Sequence, residues 1–432
     1  MGIPYKTVAF KTLGCKLNYA ETSTLQRSFV KCGYSVVDFD ASADFYVINS
    51  CSVTDNADKK ARKIIRKALK QSPYAKIVII GCYAQLASEE IINIPGVFLV
   101  VGAEEKFNLP KYLDEINLDD ESKMITSEID NVETFIPSFS IGERTRAFLK
   151  IQDGCDYNCS FCTIPLARGR SRSSKIEDII LQVEEIISLG ALEIVLTGIN
   201  IGDFGGYGNE NLYELLMSLD SIRGMHRYRI SSIEPNLLSD EIINFIASSD
   251  RFLPHFHIPL QSGSDEILKL MRRRYDKKLF KGRIDLIKSI LPDACIGVDV
   301  IVGFPGENEM HFLQTYDFIN EIDISYLHVF SYSERENVKS VDLFPKVDLC
   351  DIVKRSKSMH ALSENKINKF YAQNHGSKKN ILIESHNGGY LSGFSDNYIK
   401  VQIKGEANEV NKFIPLQLNH HGNDIMFGER MQ

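Results

Sequence analysis

Gln152-Asp153-Gly154-Cys155-Asp156-Tyr157-Asn158-Cys159-Ser160-Phe161-Cys162 carries three cysteines, separated by three and then two residues. A trio this crowded cannot pair off in disulfides without leaving an odd thiol. Thiolates on short loops of this kind hold iron–sulfur clusters, and a four-iron cluster usually takes four of them. Three local ligands leave one iron without a protein ligand, and an open iron is a place for a small molecule to bind and react. A zinc loop with a distant fourth ligand is the other reading of the same spacing.

The chain around this loop alternates strand and helix. From Arg146 onward, strands are predicted at 147–151, 192–196, 228–232, 255–258, 296–302 and 326–330, with helical spacing between them, as at 176–189 before Gly190. Repeated strand–helix units predict a parallel, partly closed barrel whose active face is the C-terminal end of its strands. Cys155 comes just after the first of these strands. The loops after the later strands carry Thr197-Gly198, Ser232 and Glu234, His257 with Gln261-Ser262-Gly263, and Gly303-Phe304-Pro305-Gly306. Each is an ordinary turn by itself, and all fall on the same predicted face.

The first ~115 residues alternate in the same way. Strands are predicted at 7–13, 45–49 and 77–80, with helices over 18–32 and 55–70. A cysteine follows each strand: Cys15 in Leu13-Gly14-Cys15-Lys16-Leu17-Asn18, Cys51 in Asn49-Ser50-Cys51-Ser52, and Cys82 in Gly81-Cys82-Tyr83-Ala84-Gln85. The C-terminal ends of parallel strands share one sheet edge, where ligands bind. Three cysteines far apart in sequence would therefore converge on a second site, again one ligand short of four; three unrelated buried thiols are the other reading. Cys32, Cys295 and Cys350 lack this context and read as ordinary structural thiols.

The 432 residues, 44% hydrophobic and 25% charged, suit a soluble protein of several domains. No apolar run approaches the ~18 residues of a membrane span, and the first ten residues lack the layout of an export signal. Nine cysteines in that setting point to a reducing cytoplasm, with no membrane partner. The acid-rich stretch 111–140 reads as a linker. The last ~60 residues give short strands at 381–384, 390–395, 398–403 and 412–418, a small antiparallel barrel of oligonucleotide-binding type. The net charge of −7 argues weakly against nucleic acid. Yet Lys59-Lys60-x-Arg62-Lys63-x-x-Arg66-Lys67-x-x-Lys70, Arg168-x-Arg170-x-Arg172 and Arg272-Arg273-Arg274 concentrate positive charge as phosphate-binding patches do.

Cys155-x3-Cys159-x2-Cys162, with Phe161 before the last cysteine, resembles the radical S-adenosylmethionine (SAM) signature. With the three N-terminal cysteine loops and the terminal barrel, the chain resembles the radical SAM methylthiotransferases nearly end to end. The resemblance implies an α/β architecture: a parallel-sheet domain over 1–115, a linker over 116–140, a partial (β/α)6 barrel over 141–370 and a TRAM domain over 371–432. It implies two 4Fe-4S clusters, an auxiliary one on Cys15, Cys51 and Cys82 and a radical-generating one on Cys155, Cys159 and Cys162, with no catalytic residue assigned beyond them. SAM would lie against Gly198, Ser232, Glu234, Gln261 and Gly303. The implied reaction replaces a C–H bond by C–S–CH3, fed by an electron donor of flavodoxin type.

Leu17-Asn18, Ala167-Arg168-Gly169-Arg170-Ser171-Arg172 and Thr197-Gly198-Ile199-Asn200-Ile201-Gly202-Asp203 look most like the branch that modifies N6-threonylcarbamoyladenosine beside the tRNA anticodon, at position 37. In that reading Asn200, Asp203 and Arg335 are candidate substrate contacts. Isopentenyladenosine tRNA and a ribosomal-protein aspartate are the substrates of the alternative branches. A non-catalytic iron–sulfur RNA-binding or sensor protein is the alternative of another class. The loop Tyr332-Ser333-Glu334-Arg335-Glu336-Asn337-Val338 departs from the family, which often has Pro and Gly after Tyr-Ser-x-Arg. The terminal barrel is expected to be separable, so that its removal weakens RNA binding and spares SAM cleavage.

Overall fold

The computed structural model describes residues 6–52, 55–116, 121–142, 145–206, 208–422 and 424–431. The start of the segment read for an export signal, residues 1–5, and the middle of the acidic segment, 117–120, lie outside the described residues. Among the described residues no helix is long and apolar enough to cross a membrane.

The N-terminal strands are apolar runs rich in β-branched residues, and such runs suit a sheet covered on both faces. β1 (Thr7–Thr12), β2 (Ser35–Val37), β3 (Phe45–Ser50), β4 (Lys76–Gly81), β5 (Val97–Val101) and β6 (Lys123–Ile125) form a parallel sheet in the order β2-β1-β3-β4-β5-β6. Helix α1 (Lys16–Lys31) lays Leu25 and Phe29 on one face, and α2 (Asp55–Gln71) lays Ala61, Ile65 and Ala68 on the other. The acidic segment read as a linker contributes to both neighbouring sheets. β6 pairs with β5, and β7 (Ser138–Phe139) pairs antiparallel with the first barrel strand. Strands of three and two residues are too short to show a period in sequence.

The six parallel barrel strands are β8 (Arg146–Lys150), β11 (Glu193–Thr197), β12 (Arg227–Ile230), β13 (His255–His257), β14 (Cys295–Val302) and β15 (Tyr326–Ser331). A two-stranded ribbon of β9 (Gln152–Asp153) and β10 (Arg172–Ser173) stands over β8. The barrel wall is split into β12-β11-β8-β7 and β13-β14-β15, joined by single bridges at Tyr228–Phe252 and Ser232–His257. Alternation along each strand sorts its residues. Ile296, Val298, Val300 and Val302 join the core beneath the helices, which turns Cys295, Gly297, Asp299 and Ile301 into the lumen.

After the long helix Leu349–Gln373 the chain closes a five-stranded barrel of β16 (Lys378–Asn387), β17 (Tyr390–Phe394), β18 (Lys400–Lys404), β19 (Phe413–Gly422) and β20 (Ile425–Arg430). The sequence reading has four of these strands. β20, which closes the barrel, sits among charged and glycine residues that mask its alternation. This small barrel caps the N-terminal end of the large one. Arg227 donates to the carbonyls of Asn380 and Phe394, and Arg229 to those of Asp396 and Ser395.

Candidate active site

Strand register brings the three N-terminal cysteines together. Thr12 pairs with Asn49, and Ser50 with Gly81, so Cys15, Cys51 and Cys82 leave neighbouring strands at nearly one level. This is the edge where the sheet order reverses, between β1 and β3. Gly14 has φ +100°, and a Cβ there would lie 2.7 Å from Cys51 Cβ, so only glycine lets these two loops approach. Asn18 ties the loops by donating to Leu13 O at 2.8 Å and Ser50 O at 3.2 Å. Cys15 is reachable by solvent, yet burial pushes its thiol up, with Arg168 pulling the other way.

The second trio sits above β8. Gly154, at φ +68°, passes so near the Arg170 carbonyl that a Cβ would lie 1.9 Å from it. Gln152 fixes the loop at both ends. It donates to the carbonyls of Asp153 and Gly154 and accepts from the backbone N–H groups of Ile199 and Asn200. Arg273 donates to Cys159 Sγ at 3.1 Å and pairs with Glu234. Burial pushes the thiols of Cys155 and Cys162 up to about 12. Bound metal deprotonates such thiols outright.

The elements that carry the two trios touch. Helix α3 (Cys82–Leu86) packs on α4 (Ile164–Arg168), the helix that follows Cys162. Arg168, 1% exposed, joins the halves. It donates to Asn18 Oδ1 at 2.7 Å, to Glu21 at 3.1 and 3.3 Å, and to Asp153 at 3.0 Å. Lys106 and Lys150 also contact Glu21, at 2.7 and 3.4 Å, and these cations hold its carboxyl down at about 2. Among the described residues Arg168 Nε has no hydrogen-bond partner, although it is buried and near Cys15 and Cys82. An orphaned donor beside two thiols, with surplus positive charge behind it, suits an anionic thiolate-bound cluster at Cys15, Cys51 and Cys82.

The other expected residues divide. Glu234 lies at the radical loop through Arg273. Ser232 bridges to His257 and leads toward the same mouth. Gln261 holds a left-handed φ of 64°, rare for a non-glycine residue, and pairs with β14 through Asp299 O and Ile301 N. Gly198 is pressed against Gln152, and Gly303 against Ile352, so packing accounts for both glycines. Asn200 is 3% exposed, and neither end of its amide has a partner among the described residues. Asp203 lines a groove of about 830 Å³ with Arg170 and Arg172.

Arg335, the remaining substrate candidate, lines a groove beside the Cys51 loop with Ser52, Asp58 and Arg62. Its guanidinium is engaged by Asp58 at 2.8 Å and by Ser52 O at 2.6 Å, so it braces the atypical loop against the strand end that carries Cys51. Just past this loop, Ser340 N donates at 2.8 Å to the carbonyl of Ser160, which lies between Cys159 and Cys162.

The arginine clusters read as phosphate patches are also only partly so. Arg168 is interior, Arg273 serves Cys159, and Arg274 stacks on Tyr157 at 3.9 Å. The α2 stripe does stand exposed at Lys60, Lys63, Arg66, Lys67 and Lys70. The sequence reading missed Glu21, Lys16, Lys106 and Lys150. Their sole signal was a charge set within an apolar strand or helix face.

A partial parallel barrel with this cysteine loop after its first strand defines a radical SAM enzyme. A model described as the Radical SAM superfamily matches residues 149–319, and one described as Uncharacterized protein family UPF0004 matches residues 7–102. Such enzymes use a 4Fe-4S cluster and SAM.

The chain belongs to the radical SAM methylthiotransferase family. It is 40% identical over 95% of its length, and 93% of the relative, to a Threonylcarbamoyladenosine tRNA methylthiotransferase MtaB of Bacillus subtilis (strain 168). It is 30% identical over 97% of its length, and 98% of the relative, to a tRNA-2-methylthio-N(6)-dimethylallyladenosine synthase of Endomicrobium trichonymphae. Among solved structures, the radical S-adenosylmethionine methyltransferase TsrM of Kitasatospora setae shares the fold at TM-score 0.55 and 13% identity, over 91% of this chain and 82% of that one.

Proposed function

We propose that the protein converts N6-threonylcarbamoyladenosine at tRNA position 37 to its 2-methylthio derivative, with one 4Fe-4S cluster on Cys155, Cys159 and Cys162 and another on Cys15, Cys51 and Cys82. When bound, the first supplies the electron that cleaves SAM and the second holds the sulfur to be methylated. The observation that supports the reading is the packing of α3 on α4, with Arg168 tied to α1 and to Asp153, which joins the elements that carry the two trios. The family assignment supports the reaction type, and the similarity to relatives named for threonylcarbamoyladenosine supports the substrate.

In this reading the chain's own groups orient and exclude. Glu234 and Arg273 stand at the SAM side of the radical trio. Gln152 sets the distance between that trio and the Asn200 loop. The unpaired amide of Asn200 is a ready partner for the adenosine or SAM, since a buried polar group without one is costly. Asp203 and the exposed Arg170 line the approach of the RNA, with the α2 stripe and the terminal barrel holding its backbone. An electron donor of flavodoxin type completes the system.

The test is anaerobic incubation of the reconstituted enzyme with SAM, reductant and tRNA bearing either threonylcarbamoyladenosine or isopentenyladenosine, followed by mass spectrometry of the nucleosides. A methylthio product from the first and none from the second is expected. Product from isopentenyladenosine alone, or from neither, overturns the substrate.

A further inference from the structure

The barrel lumen holds a polar chamber that the reaction as described leaves unused. His257 Nε2 and His328 Nδ1 both meet Asp299 Oδ1, at 2.9 and 3.2 Å, and their rings lie 5.0 Å apart. These three come from β13, β14 and β15. His328 faces inward yet is 53% exposed, because β15 is the free edge of the split wall. The chamber is therefore open to solvent on that side.

Helix α1 lies against this lumen, packing Ala20 on the inward-facing Phe148 of β8 and Val195 of β11, and Lys16, one turn earlier on the same helix face, opens onto it. Arg146 on β8, Arg229 on β12, His255 on β13 and Asp299 on β14 all lie close enough to interact with its charge. Four inward-facing residues from four strands around a barrel share a neighbour only if that neighbour is inside. Lys16 is nonetheless accessible to solvent, so the space around its amine is wet and unfilled by protein.

The chamber's charge selects its occupant. Lys16, Arg146, Arg227 and Arg229 outnumber Glu193, Glu384 and Asp299 before either histidine takes a proton. Ligand atoms of His257, Asp299 and His328 within 4.8 Å of one another could in principle hold a divalent cation. The neighbouring Lys16, Arg146 and Arg229 act on the same space, and their charge repels a cation and attracts an anion. The buried Arg146, Arg227 and Arg229 are already committed to Glu193, Glu384 or backbone carbonyls. Among the described residues Lys16 forms no hydrogen bond or ion pair, and it is the cation that stands free for a ligand.

We propose that Lys16 binds the carboxylate of the threonylcarbamoyl group, with the His257–Asp299–His328 cluster lining the same chamber, and so sets the substrate class of the enzyme. The inference rests on the substrate reading above. Lys16 adjoins Cys15, which places its amine within a side-chain length of the auxiliary centre, where carbon 2 of the base must come. The carboxylate hangs from N6 of that same ring. A dimethylallyl group offers the amine no charge and no acceptor, so it forgoes the charge-assisted bond that the carboxylate makes.

The experiment measures Kd by fluorescence anisotropy on the iron-loaded enzyme. The probes are an anticodon stem-loop RNA bearing threonylcarbamoyladenosine, the same RNA as the carboxyl methyl ester, and the unmodified RNA. The free acid is expected to bind wild type at least about tenfold more tightly than the ester, the scale of one charge-assisted hydrogen bond. Lys16→Met should bind acid and ester alike, and Lys16→Arg should restore most of the preference. Wild type that is indifferent to the ester, or a Lys16→Met variant that keeps the full preference, overturns the role of Lys16 and leaves the substrate reading standing. Equal binding of modified and unmodified RNA by wild type, with no methylthio product from the acid, overturns both.

Discussion

Arg168 shows how much a single side chain does at the junction of the two halves. It spans α1, the ribbon strand β9 and the neighbourhood of two auxiliary cysteines, all without solvent. Glu21 and Asp153 offset its charge, so removing it leaves the two carboxylates to Lys106, Lys150 and Arg172. Breaking a buried ionic set by deleting one member costs about 3–5 kcal/mol. Arg168→Met is expected to lower the thermal unfolding midpoint strongly and to yield protein deficient in iron at the auxiliary site. Arg168→Lys keeps the charge and loses the planar fork, so it should recover part of the stability. Equal midpoints for wild type and Arg168→Met, measured by calorimetry, would show that the network is slack. Sequence could not reveal this role, because the partners Asn18 and Asp153 lie 150 and 15 residues away. Three arginines at alternate positions read as a surface patch instead.

The elements were far more legible than their contacts. Each strand that ends at a cysteine is an apolar run closed by a turn residue, and parallel register then does the rest, so the sheet edge and both trios follow from local pattern. Lumen chemistry stayed hidden because one polar residue in a strand, such as Asp299 in Ile296-Gly297-Val298-Asp299-Val300, says nothing of what stands opposite. The terminal barrel was visible as an element, while its ties to the large barrel were not. Its carbonyls take the hydrogen bonds of Arg227 and Arg229, Glu384 pairs with Arg146 at 2.5 Å, and Cys295 of β14 sits in its core cluster. A chain ending at Gln373 would bare an apolar surface and strand buried arginines. Its unfolding midpoint is expected to fall by roughly 10 °C or more. Uncoupled SAM cleavage should fall with it, measured as 5′-deoxyadenosine formed anaerobically. A truncated chain with the wild-type midpoint would restore the view of a detachable RNA-binding module.

At the scale of the whole molecule, the question is whether two centres held by separate folds work as one or as two. The auxiliary trio is assembled by the six-stranded sheet, with its own cores on both faces. The radical trio is held by Gln152, Arg273 and the loop around Ser160, all from the barrel. No ligand of one trio comes from the fold that supplies the other, so each should load iron independently. Wild type is then expected to carry about eight irons, and each triple cysteine-to-alanine variant about four. Cys15, Cys51 and Cys82 changed together should leave 5′-deoxyadenosine formation in place and abolish methylthio product. Cys155, Cys159 and Cys162 changed together should abolish both. The contact through α3, α4 and Arg168 sets the limit of this independence, since a chain without the auxiliary ligands leaves Arg168 Nε with no anionic partner and loosens the helix that follows Cys162. A modest slowing of SAM cleavage in the first variant fits that coupling. Complete loss, with four irons and a wild-type unfolding midpoint, would mean that SAM cleavage needs the second centre, and the division of labour between the two folds would have to be given up.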